Sequence, residues 1–240
     1  EKGAEINSQD NNYMTPLHID TELYKLKKSL QEMWALVDKQ LSKSQSALFD
    51  YHKASAREVL SREKLVDAYE LKVDAECENF IALNNPVAID LRLALAYIKI
   101  NNNLERIGDF AEGIANFVHQ GMSEKIPENL LKELRLEEMF QEVIKMFVYA
   151  KEAIDTEDSS LAEKVFGIDF LVDNINSSSF KIIAKAIVDN PKKAEEYLYL
   201  LTAIRKLERI GDRCSNIAEE IVFYLDAKVL KHNDSQKAKK

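Results

Sequence analysis

The chain has 240 residues with only 6 Gly and 4 Pro, which excludes collagen-like and low-complexity chains and argues against an all-β fold. Hydrophobic residues make up 46% and charged residues 31%, an ordinary globular balance, while 33 Lys+Arg against 41 Asp+Glu leave a net charge of −8 that provides no field for wrapping nucleic acid. Cys77 and Cys214 stand far apart without a CxxC pair, so neither a disulfide scaffold nor a Cys-rich zinc site is indicated and a reducing, cytoplasmic setting is expected.

Residues 1–19 read as a polar N-terminal tail without a signal-peptide core, and 231–240 as a polar C-terminal tail. Between them the spacing predicts helices near 20–50, 55–84, 87–120, 127–155, 159–189 and 192–228, with Pro16, Pro86, Pro127 and Pro191 where the pattern breaks. No apolar stretch approaches the roughly 20 residues that a membrane-spanning helix needs. Asn85-Pro86 and Asn190-Pro191 each read as a helix start, Asn as the cap and Pro in the first turn. Downstream of each comes Leu-Glu-Arg-Ile-Gly-Asp, at 104–109 and again at 207–212. An identical hexapeptide at the same place in two helical halves indicates an internal duplication. The expected fold is all-α, a tandem repeat of two antiparallel three-helix bundles over 20–121 and 122–230.

Acidic residues recur at helical spacing in both halves. Glu63, Asp67, Glu70 and Asp74 form a stripe on the second helix, and Glu105, Asp109, Glu112 and Asn116 form one on the third. The fifth helix offers Asp169 and Asp173, and the sixth Glu208, Asp212, Asn216 and Glu219. Glu63, Asp67, Glu105 and Asp109 all lie 18 to 24 residues from Asn85, and Asp169, Asp173, Glu208 and Asp212 lie 17 to 22 from Asn190. Antiparallel helices would therefore bring four carboxylates to one height in each half. An acidic stripe on a single helix is most often a solvated face, and the third helix fits that description because its apolar arc faces away from Glu105 and Asp109. On the other helices the stripe borders apolar residues such as Ala56, Val59 and Phe180. With the duplication, this favours a surface-facing cation site over a plain acidic face.

All-oxygen ligands suit hard or borderline divalent or trivalent ions: iron, manganese, magnesium or zinc, with bridging carboxylates able to hold a multinuclear cluster. A ferritin-like centre would need Glu-x-x-His, which does not occur. His52 and His119 share the stripes but have no counterpart in the second half, so capping or surface roles are favoured for them. Gly108 and Gly211 lie inside helices, at a cost of about 1 kcal/mol each relative to Ala, and point to close helix approach beside the acids. Cys77 and Cys214 read as core thiols, and Arg205, Arg209 and Arg213 as a solvated stripe or partners for nearby Glu. No phosphate loop, nucleophile elbow or HExxH is present, so no catalytic residue and no enzyme activity is expected.

The two Glu-Arg-Ile-Gly-Asp copies, the second continuing Arg213-Cys214-Ser215-Asn216-Ile217-Ala218-Glu219, resemble the duplicated signature of the PhoU family of phosphate-transport regulators. Pro86-Val87-Ala88-Ile89-Asp90-Leu91-Arg92 resembles that family's Pro-x-Ala-x-Asp-Leu-Arg segment. The resemblance implies multinuclear metal sites on Glu63 with Asp67, Glu105 with Asp109, Asp169 with Asp173, and Glu208 with Asp212. The family position eight after the motif Glu is usually Asn or Asp. Asn216 fills it in the second half but Gly113 stands there in the first, leaving Glu112 or Asn116 as a nearby substitute and predicting weaker loading. The resemblance further implies a negative regulator of phosphate uptake and of phosphate-starvation signalling, acting between the ATPase subunit of a phosphate ABC transporter and a phosphate-sensing histidine kinase. A homodimer is expected, reaching the membrane only through partners and binding no nucleic acid. A metal-dependent phosphohydrolase and a metal-free helical scaffold stay open as alternatives.

Overall fold

The computed structural model describes residues 16–227, and most of the two polar tails read from the sequence lies outside them. Seven α-helices follow in order: α1 Pro16–Asp50, α2 Lys53–Asn84, α3 Ala88–Asn116, α4 Glu128–Glu133, α5 Leu136–Thr156, α6 Ser159–Asp189 and α7 Ala194–Asp226. A π-helical turn at Phe117–Gly121 closes α3 and a 3-10 turn at Pro191–Lys193 leads into α7. No strand occurs among the described residues.

The long helices form where apolar residues return every three or four positions. On α1, Leu26, Leu30, Met33, Trp34, Val37 and Leu41 make one buried stripe. On α5, Met139, Phe140, Val143, Met146, Phe147 and Ala150 do the same. Helices α1, α2 and α3 pack as one antiparallel bundle and α5, α6 and α7 as a second, joined chiefly through α3 against α7. Trp34 on α1 meets Phe147 on α5 with ring centroids 5.4 Å apart, and Lys99 on α3 reaches Glu220 on α7 at 2.8 Å. The two halves therefore share one core.

Several local readings need correction. Asn85 is not an N-cap: it terminates α2 in the left-handed conformation at φ 46°, and α3 begins at Ala88 without a side-chain cap. Pro191 does open a 3-10 turn, but Asn190 makes no side-chain cap and instead donates its N–H to Ala186 O. The predicted helix over 127–155 is broken at Arg135, whose φ of 52° lies in the left-handed region. The break has a packing reason. Leu134 and Leu136 are both buried, and two residues apart on a straight helix they would point roughly 200° apart. Phe180 is 60% exposed, so it does not sit in a buried seam of α6.

Candidate metal centres

On α2, the i, i+4 spacing of Glu63 and Asp67 places both on one face, next to Val66, which packs inward. Across from them on α3 lies Asp109, and one carboxylate oxygen from each of Glu63, Asp67 and Asp109 lies within 4.8 Å of the other two. The second half repeats the arrangement with Asp169 and Asp173 on α6 and Asp212 on α7 under the same limit. All six are half-buried. The two triads occupy equivalent positions in the duplicated halves.

The approach is closer at one glycine than at the other. A β-carbon at Gly108 would lie 3.2 Å from Val66 Cγ1, and one at Gly211 would lie 3.5 Å from Val172 Cγ1. Each glycine precedes the α3 or α7 aspartate of a triad, and each valine precedes an aspartate of the facing helix. Helix contact beside the acids is thus tight in the first half and ordinary in the second.

Three carboxylates this close repel one another, and burial, with that repulsion added, raises the proton affinity of Glu63 and of the glutamates bordering the triads. Burial, then the neighbouring Asp67, raises Glu63. Glu105 is pushed up to about 7, first by burial and then by the charge of Asp109. Burial and Asp109 raise Glu112, while burial followed by Asp212 and Asp173 raises Glu208. Acids that hold protons this readily are also suited to holding metal cations, with which protons compete.

Partial compensation comes from Arg106, whose Nη1 lies 3.1 Å from Asp109 Oδ2 and whose Nε lies 3.3 Å from Glu105 Oε2. Arg106 is itself half exposed, and Glu105 Oε2 remains buried without a directed hydrogen-bond donor. In the second half Ser215 Oγ donates to Asp169 Oδ1 at 3.3 Å. An all-oxygen donor set, short carboxylate separations and an unsatisfied buried carboxylate oxygen fit a hard or borderline cation.

Of the residues singled out by sequence, Glu63, Asp67, Asp109, Asp169, Asp173 and Asp212 form the triads. Glu105, Glu112 and Glu208 border them, close enough for their proton affinities to respond to triad charges. Asn216 is half-buried one turn along α7 from Asp212. Glu105 departs from expectation: it is buried, beside Asp109 of its own helix and near Glu70 of α2, on the side where periodicity alone suggested solvent. Farther along the stripe, Glu70 and Asp74 take other partners. Asn102 Nδ2 donates to Glu70 Oε1 at 3.3 Å and Asn101 Nδ2 to Asp74 Oδ1 at 2.8 Å. His52 hydrogen-bonds Ser55 through Nδ1, and neither acidic grouping includes a histidine. Both cysteines are free and buried, with burial pushing the Cys77 thiol up to about 12 and raising Cys214 as well.

Sequence reasoning missed Arg106 and Ser215 as partners, although both sit inside the repeated signature segments. It also missed a cleft of about 940 Å³ between the end of α3 and the first turns of α7, to which Asp109, Glu112, Gly113 and Lys206 contribute.

The PhoU domain family model matches residues 30–118 and 136–221, one match on each half. The chain is 30% identical to the phosphate-specific transport system accessory protein PhoU homolog 1 of Thermotoga maritima, over 90% of this chain and 92% of that protein. It is 28% identical to the phosphate-specific transport system accessory protein PhoU of Escherichia coli, over 89% of this chain and 87% of that one. Its structure superposes on the crystal structure of PhoU from Pseudomonas aeruginosa with a TM-score of 0.82 at 29% identity, covering 88% of this chain and 100% of the other.

Proposed function

The chain belongs to the PhoU family, and from that premise we propose that it is a non-enzymatic, metal-binding adaptor that restrains phosphate uptake and the phosphate-starvation response in the cytoplasm. Its partners in this reading are the ATPase subunit of a phosphate ABC transporter and a phosphate-sensing histidine kinase. Support comes from relatives that are named accessory proteins of phosphate-specific transport systems and align over nearly their whole length. No helix among the described residues is long and apolar enough to cross a membrane, so contact with a transporter would run through its subunits.

The observation that carries the metal part is the pair of equivalent carboxylate triads. Glu63, Asp67 and Asp109, with Glu105 and Glu112 beside them, would hold cations in the first half. Asp169, Asp173 and Asp212, with Glu208 and Asn216, would do so in the second. A multivalent cation would supply charge neutralisation there. The carboxylates on α2 and α6 would then draw toward those on α3 and α7, stiffening each bundle face that a partner meets.

Deleting the gene tests the regulatory role. Raised starvation-gene expression in phosphate-rich medium, restored by the wild-type chain, is the expected result. Unchanged expression and unchanged phosphate uptake in a strain without a second copy would contradict it. Capture of the transporter ATPase subunit by the purified chain tests the adaptor role directly, and light scattering of the same sample tests the expected homodimer.

A further inference from the structure

The first acidic centre shares its cleft with a cation that comes from the opposite half of the molecule. In the second half, half-buried Asn216 stands one turn along α7 from Asp212. The equivalent residue in the first half, 103 positions earlier, is Gly113. The space beside Gly113 is filled: a β-carbon there would lie 2.4 Å from both Cε and Nζ of Lys206, which crosses from α7. Lys206, Gly113, Glu112 and Asp109 all line the cleft between the bundles, and the ammonium also lies 5.8 Å from the centroid of the Phe110 ring. The charge of Lys206 opposes the burial and Asp109 repulsion that raise Glu112. The duplication partner of Lys206 is the neutral Asn103, whose Nδ2 donates to Lys99 O within its own helix. Where the second half carries an amide side chain, the first thus carries a glycine with a cation from α7 laid against it.

We propose that Lys206 is a resident counter-cation of the first centre, lying where a side chain on residue 113 would otherwise stand, so that this centre binds metal ions more weakly than its carboxylates would without that charge. This rests on the metal reading of the two triads. A glycine at position 113 is required for it, since any larger residue would displace the lysine. The arrangement also makes loading of the first bundle depend on α7, a helix of the second bundle.

The test uses the full chain stripped of metal and equilibrated with Mn²⁺ by dialysis, with bound metal counted by mass spectrometry. Lys206→Met and Lys206→Arg are compared with wild type, each also with Asp173→Asn and Asp212→Asn together, which leaves the first centre alone. Circular dichroism checks that each variant is folded. Lys206→Met is expected to tighten Mn²⁺ binding at the first centre on the order of tenfold, or to add an ion at matched free metal, because one positive charge in the same cleft no longer opposes a divalent ion. Lys206→Arg is expected to stay near wild type. In metal-free protein Lys206→Met should lower the melting temperature, and saturating Mn²⁺ should shrink or reverse that deficit. Equal Mn²⁺ binding by wild type and Lys206→Met, in protein whose second centre loads, would overturn the inference while leaving the metal reading intact. No Mn²⁺ uptake at either centre in either protein would overturn both.

Discussion

Gly108 and Gly211 offer an internally controlled experiment, because the same substitution at equivalent positions should have different effects. Replacing a mid-helix glycine by alanine gains about 1 kcal/mol from helix propensity alone. At Gly211 the new methyl would meet Val172 Cγ1 at 3.5 Å and Met146 at 3.6 Å, ordinary contacts, so the gain should survive and Gly211→Ala should stabilise the protein by about 1 kcal/mol. At Gly108 the methyl would stand 3.2 Å from Val66 Cγ1, on a β-branched side chain with little rotamer freedom. Overpacking of this kind costs about 1–3 kcal/mol, so Gly108→Ala should be neutral or destabilising, about 1–3 kcal/mol worse than its counterpart. Urea unfolding followed by circular dichroism and by Trp34 fluorescence measures both, and coincident transitions would validate the comparison. The site should respond too: a shift of α3 away from Val66 also moves Asp109 away from Glu63 and Asp67, so Gly108→Ala should weaken metal binding in the first half while Gly211→Ala leaves the second half unchanged. Equal stability changes at the two positions would refute the argument that helix approach is tighter at the first centre.

The raised proton affinity of Glu105 makes stability depend on pH in metal-free protein. Its folded-state value of about 7 lies above the ordinary 4.5, so its contribution is fully present below pH 4.5 and is lost as pH rises through 7. Allowing for solvent screening, Glu105→Gln should flatten the fall in stability between pH 5 and 8 by about 1–2 kcal/mol, measured by urea unfolding, and an unaltered slope would contradict it. Glu157 closes α5 in the left-handed conformation at φ 56° and is exposed, so Glu157→Gly should raise stability by about 1 kcal/mol in the same assay. A loss of stability there would mean that the Glu157 side chain contributes more than its backbone strain costs.

Much of this was legible in the sequence because it depends on periodicity within a helix and on repetition between halves. The hexapeptide at 104–109 and 207–212 fixes the pairing of the halves, and counting from the Asn-Pro turns brings Glu63, Asp67, Asp109 and their counterparts to matching heights. What was illegible depends on contacts between elements. The burial of Glu105 follows from packing between helices, near Glu70 of α2, which the pattern of α3 alone cannot show. The break at Arg135 follows from two leucines, Leu134 and Leu136, both entering the core, where a local pattern reads one continuous helix. Asn85 serves as a left-handed terminus because Asn tolerates positive φ as readily as it caps, and the sequence Asn-Pro is compatible with both. Lys206 was invisible for a similar reason: its partner Gly113 is distant in the chain, and a glycine advertises space without naming what fills it.

The central claim is that the two carboxylate triads bind cations, and metal content after reloading tests it most directly. The full chain should be stripped with chelator, exposed in turn to iron, manganese, magnesium and zinc, desalted and analysed by mass spectrometry. The account predicts bound metal in wild type, lost more completely when Glu208 and Asp212 are both replaced by Ala than when Glu105 and Asp109 are, because the second centre keeps Asn216 one turn from Asp212 while Lys206 shares the cleft of Asp109 and Glu112. Absence of all four metals from the folded wild-type chain, or equal content in wild type and both double variants, would contradict it.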